Sequence, residues 1–429
     1  MTTVAQLSEI LQSLLIDDAK QLGRSSGFIQ RERKFNGASF AQALVFGWQA
    51  NPRASLEELC QSARACGVEI SPQGLQERLN PAAAHFLERL LQQSLTYRVT
   101  SEGEPAGLLE RFTGIYLQDT SVIGLPPELV QIWRGCGHGQ GKSASLKLQT
   151  LFEYKQGALH LSLQPGAAHD TQGQATHLPA RSVRIADSAY FKVAVFKDFN
   201  QHGIGWLSRV PATVTIWQDH QTLPIGTWLA QAEPSTLDVE VHLTRQRLPC
   251  RLLAMRVPEK VAQQRRARVT QDAKDQGHLL RPETLALCEW TVMATNLPPE
   301  DLTLQEGLIL LRLRWQIELL FKLWKQTFHF TAWRTSRPVQ ILCEVYAKLL
   351  SLVVQHWLLV LGCWDAPERS LFKAVLVLQK HAFHLATVLP SLTQLQATLA
   401  ALLPSLLRCK IQKRKARPAT FQLLGRASP

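Results

Sequence analysis

Residues 308–325, LILLRLRWQIELLFKLWK, limit what this chain can fold into more than any other stretch. The run holds neither Gly nor Pro and mixes Leu and Ile with Arg, Lys and Glu, so it predicts one helix. At about 100° per residue, Arg314, Glu318 and Lys325 fall on one line of that helix, flanked by Leu311 and Lys322. A lone carboxylate therefore stands on a basic stripe of an otherwise apolar helix. Lys and Glu are rarely buried without partners. The stripe is then either a solvated or salt-bridged face or part of a site, and the rest of the sequence has to decide.

With 429 residues the chain has room for two or three domains. Lys and Arg number 47 against 34 Asp and Glu, a formal net charge of +13. Such a balance suits nucleic acid or another anionic surface, against the plainer reading of a generally basic enzyme. The eight cysteines form no C-x-x-C, and no His pair stands at zinc spacing, so they read as reduced thiols in the cytoplasm. The opening MTTVAQLSEI shows no signal-peptide pattern. The most apolar helix candidate, Leu349–Leu361, contains Gln355 and His356, and reads as a buried helix rather than a membrane span. No membrane partner is expected.

Residues 1–105 read as helical. Ser55-Leu-Glu-Glu58 is a capping box opening a helix to about Ala65. A turn at Cys66–Ile70 follows, and then Ser71-Pro72 starts a second helix that stops near Asn80-Pro81. Helix, Gly-containing turn, helix is the helix-turn-helix order, which would expose Gln73, Gln76, Glu77 and Arg78 to DNA. From Leu108 the texture changes. Thr113–Gln118 predicts a short strand ending at Asp119, with a Gly- and Pro-rich loop over 122–142. Leu146–Tyr154 and Ala158–Leu163 predict a hairpin turning at Gln156-Gly157. Gln172–Leu178 predicts a short helix, Val183–Ala186 a buried strand ending at Asp187, Phe191–Gln201 a helix and Gly205–Val210 a strand. Residues 211–300 then read as β-rich, with strands at Thr213–Trp217, Leu237–Leu243, Cys250–Val257 and Trp290–Thr295 and a charged helix over Glu259–Gln276. Leu-rich helices fill 338–406, and Arg408–Arg417 is a basic tail, either solvated or in contact with a DNA backbone.

Two aspartates at strand ends and a glutamate on a later helix suit divalent metal. Mg²⁺ takes carboxylate and water oxygens and leaves positions open for phosphate. Two such ions, about 3.5–4 Å apart, can serve both the attacking and the leaving oxygen of an in-line displacement. Crowded carboxylates also repel unless a cation joins them.

The spacing Leu311-x2-Arg314-x3-Glu318-x6-Lys325 resembles the Y-x2-R-x3-E-x6-K signature of the insertion-sequence-four family of DDE transposases. Asp187-Ser-Ala-Tyr-Phe191 is similar to that family's D-x-G/A-x-Y/F, and Asp119 in YLQDTSV falls where its first aspartate belongs. Leu311 stands where the pattern has Tyr, so a hydroxyl contact to phosphate is lost there. The resemblance spans roughly 108–330. It implies an α/β fold, a ribonuclease H-like core of mixed sheet and helices with a β-rich insertion domain, plus helical N-terminal and C-terminal regions. The corresponding division is 1–105 as a DNA-binding domain with the helix-turn-helix, 106–210 as the first part of the core, 211–300 as the insertion, 301–336 as the last part of the core, and 337–429 as a helical region with the basic tail. It further implies Asp119, Asp187 and Glu318 as catalytic metal ligands for two Mg²⁺ ions, which Mn²⁺ could replace. Arg314 and Lys325 would be phosphate contacts. Trp290 would stack on a base flipped out at the transposon end, or else it is a core strand tryptophan.

The activity implied is cleavage at the terminal inverted repeats and transfer of the 3′-hydroxyl into target DNA, by a homodimer on paired ends, in a bacterial cytoplasm beside the nucleoid. Two alternatives stand beside it: a decayed transposase that only binds ends, and a ribonuclease H-like nuclease without strand transfer. Other motifs carry less. Gly139-Gln-Gly-Lys142-Ser143 resembles a P-loop, but Cys136 occupies the first Gly position, so no nucleotide cofactor is expected. His169-Asp170 follows a strand but lacks the strand-then-helix context of Asp187, and reads as a fold or substrate-side residue. His138 and His160 have no partners at ligand spacing.

Overall fold

A computed structural model gives the fold and describes residues 2–31, 34–101, 107–136, 143–168, 177–218, 220–275, 277–330, 333–364, 366, 368–411 and 420–426. In chain order the helices and strands are α1 (Val4–Gln12), α2 (Ala19–Ser25), α3 (Gly37–Ala50), α4 (Leu56–Ala65), α5 (Pro72–Arg78), α6 (Pro81–Ser94), α7 (Gly107–Glu110), β1 (Ile115–Leu125), β2 (Ala144–Glu153), β3 (Leu159–Pro165) and β4 (Val183–Ala186). There follow α8 (Val193–Gln201), β5 (Gly205–Arg209), β6 (Thr215–Gln218), β7 (Gln221–Pro224), α9 (Ile225–Ala230), β8 (Thr236–Leu243), β9 (Leu248–Arg256), α10 (Glu259–Asp275), α11 (Pro282–Leu287) and β10 (Trp290–Thr295). The chain closes with α12 (Leu304–Leu313), α13 (Trp315–Phe328), α14 (Pro338–Cys363), α15 (Leu371–Val388), α16 (Leu392–Leu407) and α17 (Thr420–Arg426). A turn of π-helix, Ser13–Asp18, joins α1 to α2. The chain forms two compact units. The first holds residues 1–104, 120–168 and 318–416, and the second 105–119, 169–317 and 417–429.

In the first unit, α14 is the central helix. It is buried on nearly every side and mostly apolar, and a helix of that kind belongs in a core. It packs against α3, α6 and α15, and the Ser351 hydroxyl donates to the Val45 carbonyl of α3 at 2.5 Å. The helix expected over Leu349–Leu361 is thus only the second half of a longer one. Its 26 residues are long and apolar enough to cross a membrane by length and composition, and 94% of its most apolar window is buried inside the protein. Lys348, fully buried, is neutralised by Glu344 one turn earlier at 2.6 Å. The β2–β3 hairpin turns where expected, at Gly157. There φ is +78° and a Cβ would come within 3.0 Å of Val360 and Trp364, so glycine is required on both counts. The predicted caps of α4 and α5 are present: Ser55 and Glu58 close a reciprocal capping box, and Ser71 accepts from the Gly74 N–H.

The second unit is built on a mixed sheet in the order β1-β4-β5-β10-β9-β8-β6-β7. Strands β1, β4 and β5 are parallel, and every later pairing is antiparallel. β10 lies between β5 and β9, so the strands of 211–300 extend the same sheet as β4 and β5. A cluster including Phe196, Phe199, Trp206, Ile216, Leu252 and Trp290 forms the core on one side of it. Helix α12 packs on β9 and β10 at Gly307, where a Cβ would stand 3.3 Å from Leu253 and Met293.

Several expectations need correction. The strand predicted to stop at Asp119 runs on to Leu125, since Ser121, Ile123 and Leu125 are buried in alternation while Val122 and Gly124 are exposed. Gly124 and Pro126 made that half look like loop, but the alternation is that of a half-buried strand. The helix predicted over 308–325 is divided at Arg314, which keeps α-helical angles (φ −49°, ψ −31°) as the C-cap of α12 before α13 begins at Trp315. Three short elements, β7, α9 and α11, had no sequence signal long enough to register. The predicted helix over Gln172–Leu178 falls largely outside the described residues, as do His138, Lys142, His169, Asp170 and most of the basic tail.

Candidate active site and nucleic-acid interface

Strand register sets the site. The last paired residues of β1 and β4 are Gln118 and Ala186, and Ala186 in turn faces Ser208 of β5. The next residues on the three parallel strands are Asp119, Asp187 and Arg209. Two carboxylates and a guanidinium therefore follow one another along the C-terminal edge of the parallel strands, the edge where open α/β sheets take their ligands. The alternation of side chains puts Gln118 on the opposite face from Asp119, and there Gln118 accepts from Arg184 Nε at 2.6 Å. Arg184 is fully buried between the rings of Tyr190 and Phe199, and that burial lowers its pKa to about 10.

Asp187 Oδ1 accepts the Ser188 N–H at 2.8 Å and so caps the short 3₁₀ turn Ser188–Tyr190. Asp119 Oδ2 accepts from Arg314 Nη1 at 3.1 Å, with side-chain exposures of 21% and 11% respectively. A chain of contacts brings Arg314 to that place. Thr303 and Glu306 form the capping box that starts α12. Glu306 also pairs with Arg111, four residues before β1, at 2.9 Å. Burial pushes the Glu306 carboxyl up, but the Thr303 N–H and the Arg111 guanidinium outweigh it and hold the group below the usual carboxylate range. With its first turn tied down beside β1, α12 delivers its C-cap residue to Asp119.

Around Arg314 lies an open cleft of about 470 Å³ lined by Arg209, Thr291, Leu308, Leu311, Arg312, Arg314 and Trp315. Trp315 is 55% exposed. Arg265 from α10 reaches the same wall, donating to the Thr291 hydroxyl at 3.2 Å and to the Trp290 carbonyl at 2.8 Å. Burial lowers its pKa first, and the neighbouring positive charge of Arg209 lowers it further. An arginine-rich wall beside an exposed indole offers charge to phosphate and a π-face to a base. Sequence reasoning missed Arg209, Arg312 and Trp315. The available signals were an arginine at the end of the third parallel strand and a tryptophan next to Arg314.

Trp290 has the core position among the two readings the sequence left open. It is 3% exposed, and the Arg256 guanidinium lies 4.7 Å from its ring centre. Glu318 is half-buried in the first turn of α13, in the other unit from Asp119 and Asp187, and Lys325 is exposed on the same helix. On α5, Gln73 is exposed and donates to Glu77 at 3.2 Å, while Gln76 and Arg78 are half-buried. Among the described residues no three of His, Cys, Asp and Glu gather closely enough to hold a metal ion. The Asp119–Asp187 pair does fit one by its chemistry: hard carboxylate oxygens on two neighbouring strands just past their last paired residues, one of them already drawing a cationic side chain.

Residues 111–354 match the family model described as the transposase DDE domain. The chain is 26% identical over 375 residues to the transposase for insertion sequence element IS231C of Bacillus thuringiensis subsp. berliner, covering 81% of this chain and 78% of that protein. It is 25% identical to the IS231B transposase of the same organism, over 97% of this chain and 94% of that one. The transposase for IS1151 of Clostridium perfringens is 22% identical over 80% of this chain and 78% of its own length.

Proposed function

Because this chain belongs to the transposase DDE domain family, whose model spans more than half of it, we propose that it cuts DNA at insertion-sequence ends and joins the freed 3′-hydroxyl to target DNA, with Asp119, Asp187 and Glu318 as its acidic triad. The observation that carries this reading is the register of β1 and β4, which sets Asp119 and Asp187 side by side, each directly after the last residue of the parallel pairing. The relatives are named as transposases of insertion sequence elements, which supplies the substrate class. A divalent cation, Mg²⁺ or Mn²⁺, held by the triad would act as Lewis acid toward phosphate and water.

The chain's own groups do the rest. Arg314, Lys325, Arg209 and Arg312 take phosphate oxygens and fix the scissile strand. Trp315 offers its exposed face to an unstacked base. Helix α5 presents Gln73, Gln76 and Arg78 to the duplex within a DNA-binding region over 1–105. We read 211–300 as an insertion into a ribonuclease H-like core, and a homodimer on paired ends, working beside the nucleoid, as the acting form.

The test is a cleavage and joining assay in Mg²⁺ and in Mn²⁺ on linear duplexes that carry the inverted repeats flanking the gene. Cleavage with joining is the expected result, and cleavage without joining would leave a nuclease. A second reading, an end-binding protein that does not cut, is favoured by Leu311, a buried side chain where the family pattern has Tyr. Retention of the repeats in a mobility-shift assay with no product in either metal would select it.

A further inference from the structure

The ion pair between Asp119 and Arg314 joins a proposed metal ligand to a proposed phosphate contact. The guanidinium nitrogen sits 3.1 Å from Oδ2, and both side chains are largely withdrawn from water, with exposures of 11% and 21%. Solvent screens such a pair far less than a surface one. A competing cation at the carboxylate or a competing anion at the guanidinium would open the contact. Arg314 also lines the open cleft with Arg209, Arg312 and Trp315, so an anion has a route to it and finds other positive charge on arrival.

We propose that Arg314 competes with a divalent cation for Asp119, and that a DNA phosphate settles the competition by drawing the guanidinium away. The proposal rests on the reading of Asp119 as a metal ligand. Metal and DNA are then linked: whatever factor DNA adds to metal affinity, metal adds to DNA affinity. Arg takes phosphate in the same bidentate geometry as carboxylate, so a seated phosphodiester can replace Asp119 as its partner, and Asp119 has a hard oxygen to give to the ion. The arrangement keeps the cation weakly bound until a phosphodiester is seated, and so ties metal loading to substrate.

Mn²⁺ binding to the full-length protein, followed by the electron paramagnetic resonance of the free ion, tests this without any turnover. Five titrations are needed: wild type, Arg314→Gln and Asp119→Asn alone, and wild type and Arg314→Gln each with a 40-base-pair mixed-sequence duplex after subtraction of binding to the duplex alone. The expected result is that Arg314→Gln binds Mn²⁺ about tenfold more tightly than wild type, the scale of one charge-assisted contact. The duplex should tighten wild type by a similar factor and leave Arg314→Gln nearly unchanged, while Asp119→Asn loses the site. Equal affinity in wild type and Arg314→Gln, with Asp119→Asn still defective, overturns the competition and leaves the metal ligand standing. Binding that ignores Asp119 altogether overturns both. Circular dichroism of each variant at the titration temperature confirms that a folded chain is being compared.

Discussion

Asp119 and Asp187 follow immediately on Gln118 and Ala186, the last paired residues of two parallel strands. Because register rather than loop conformation sets their spacing, neither carboxylate is easily moved without slipping a buried strand. Asparagine at either position keeps shape and removes charge. Asp119→Asn and Asp187→Asn should each lower cleavage by roughly a hundred- to a thousand-fold, the range seen when a group that stabilises transition-state charge is removed. Binding of the terminal repeats in a mobility-shift assay should stay within a few-fold of wild type. A variant that still nicks at near wild-type rate would remove its residue from the triad, and Glu318→Gln extends the same test to the helix.

Two tryptophans, close in sequence to the site, should respond in opposite ways. Trp290 is packed in the core under Arg256. Its change to Ala should cost about 3–5 kcal/mol of stability, as large aromatic deletions in cores do. Trp315 is 55% exposed, so Trp315→Ala should stay within about 0.5 kcal/mol of wild type in urea denaturation. It should weaken binding of a DNA end with an unpaired base by about 1–3 kcal/mol, and Trp315→Phe should recover part of the loss. Fluorescence anisotropy with paired and unpaired ends separates stacking from general affinity.

Phosphate contacts reveal themselves through salt. If Arg314 and Lys325 each meet one phosphate, Arg314→Ala and Lys325→Ala should each reduce the slope of log affinity against log salt by about 1. Lys325 stands exposed on α13, and its change should do no more than that. Arg314→Ala also removes the 3.1 Å ion pair to Asp119, so its cleavage defect in low Mn²⁺ should be smaller than its loss of DNA affinity implies. An unchanged slope for either variant would place that side chain off the backbone path.

What the sequence disclosed was whatever local chemistry controls. Ser55 and Glu58 box the start of α4, Ser71 caps α5, and Gly157 turns the β2–β3 hairpin with φ at +78°. Each of these residues does its work within a few positions of itself. Asp187 could be found because the apolar run VRIA ends at it. What stayed hidden was set by partners far along the chain. Gly124 and Pro126 resemble loop residues until the buried alternation of Ser121, Ile123 and Leu125 is seen. Arg209 acquires meaning only because Ser208 pairs with Ala186. The division of the 308–325 helix at Arg314 has no Gly or Pro to announce it, while Arg314 itself is turned to Asp119.

His356, on the buried face of α14, gives the first unit a dependence on pH that the second does not share through this residue. Its ring lies 2% exposed, with Nε2 2.7 Å from the Gly157 carbonyl. That carbonyl can only accept, so Nε2 carries the proton. Burial disfavours the imidazolium and lowers the pKa to about 4, the contact with Gly157 offsetting only part of it. A base with a depressed folded pKa contributes stability that is intact above its unfolded value, about 6.5, and is lost as pH falls towards 4, because the unfolded chain takes up the proton first. Over that window the shift corresponds to roughly 3 kcal/mol at most. Urea midpoints of the wild type should therefore fall between pH 6.5 and 4. His356→Gln has an amide that can donate to the same carbonyl and does not titrate. It should begin from a lower midpoint at pH 7.5 and lose distinctly less on acidification. Parallel curves for the two proteins would show that His356 is not the group responsible.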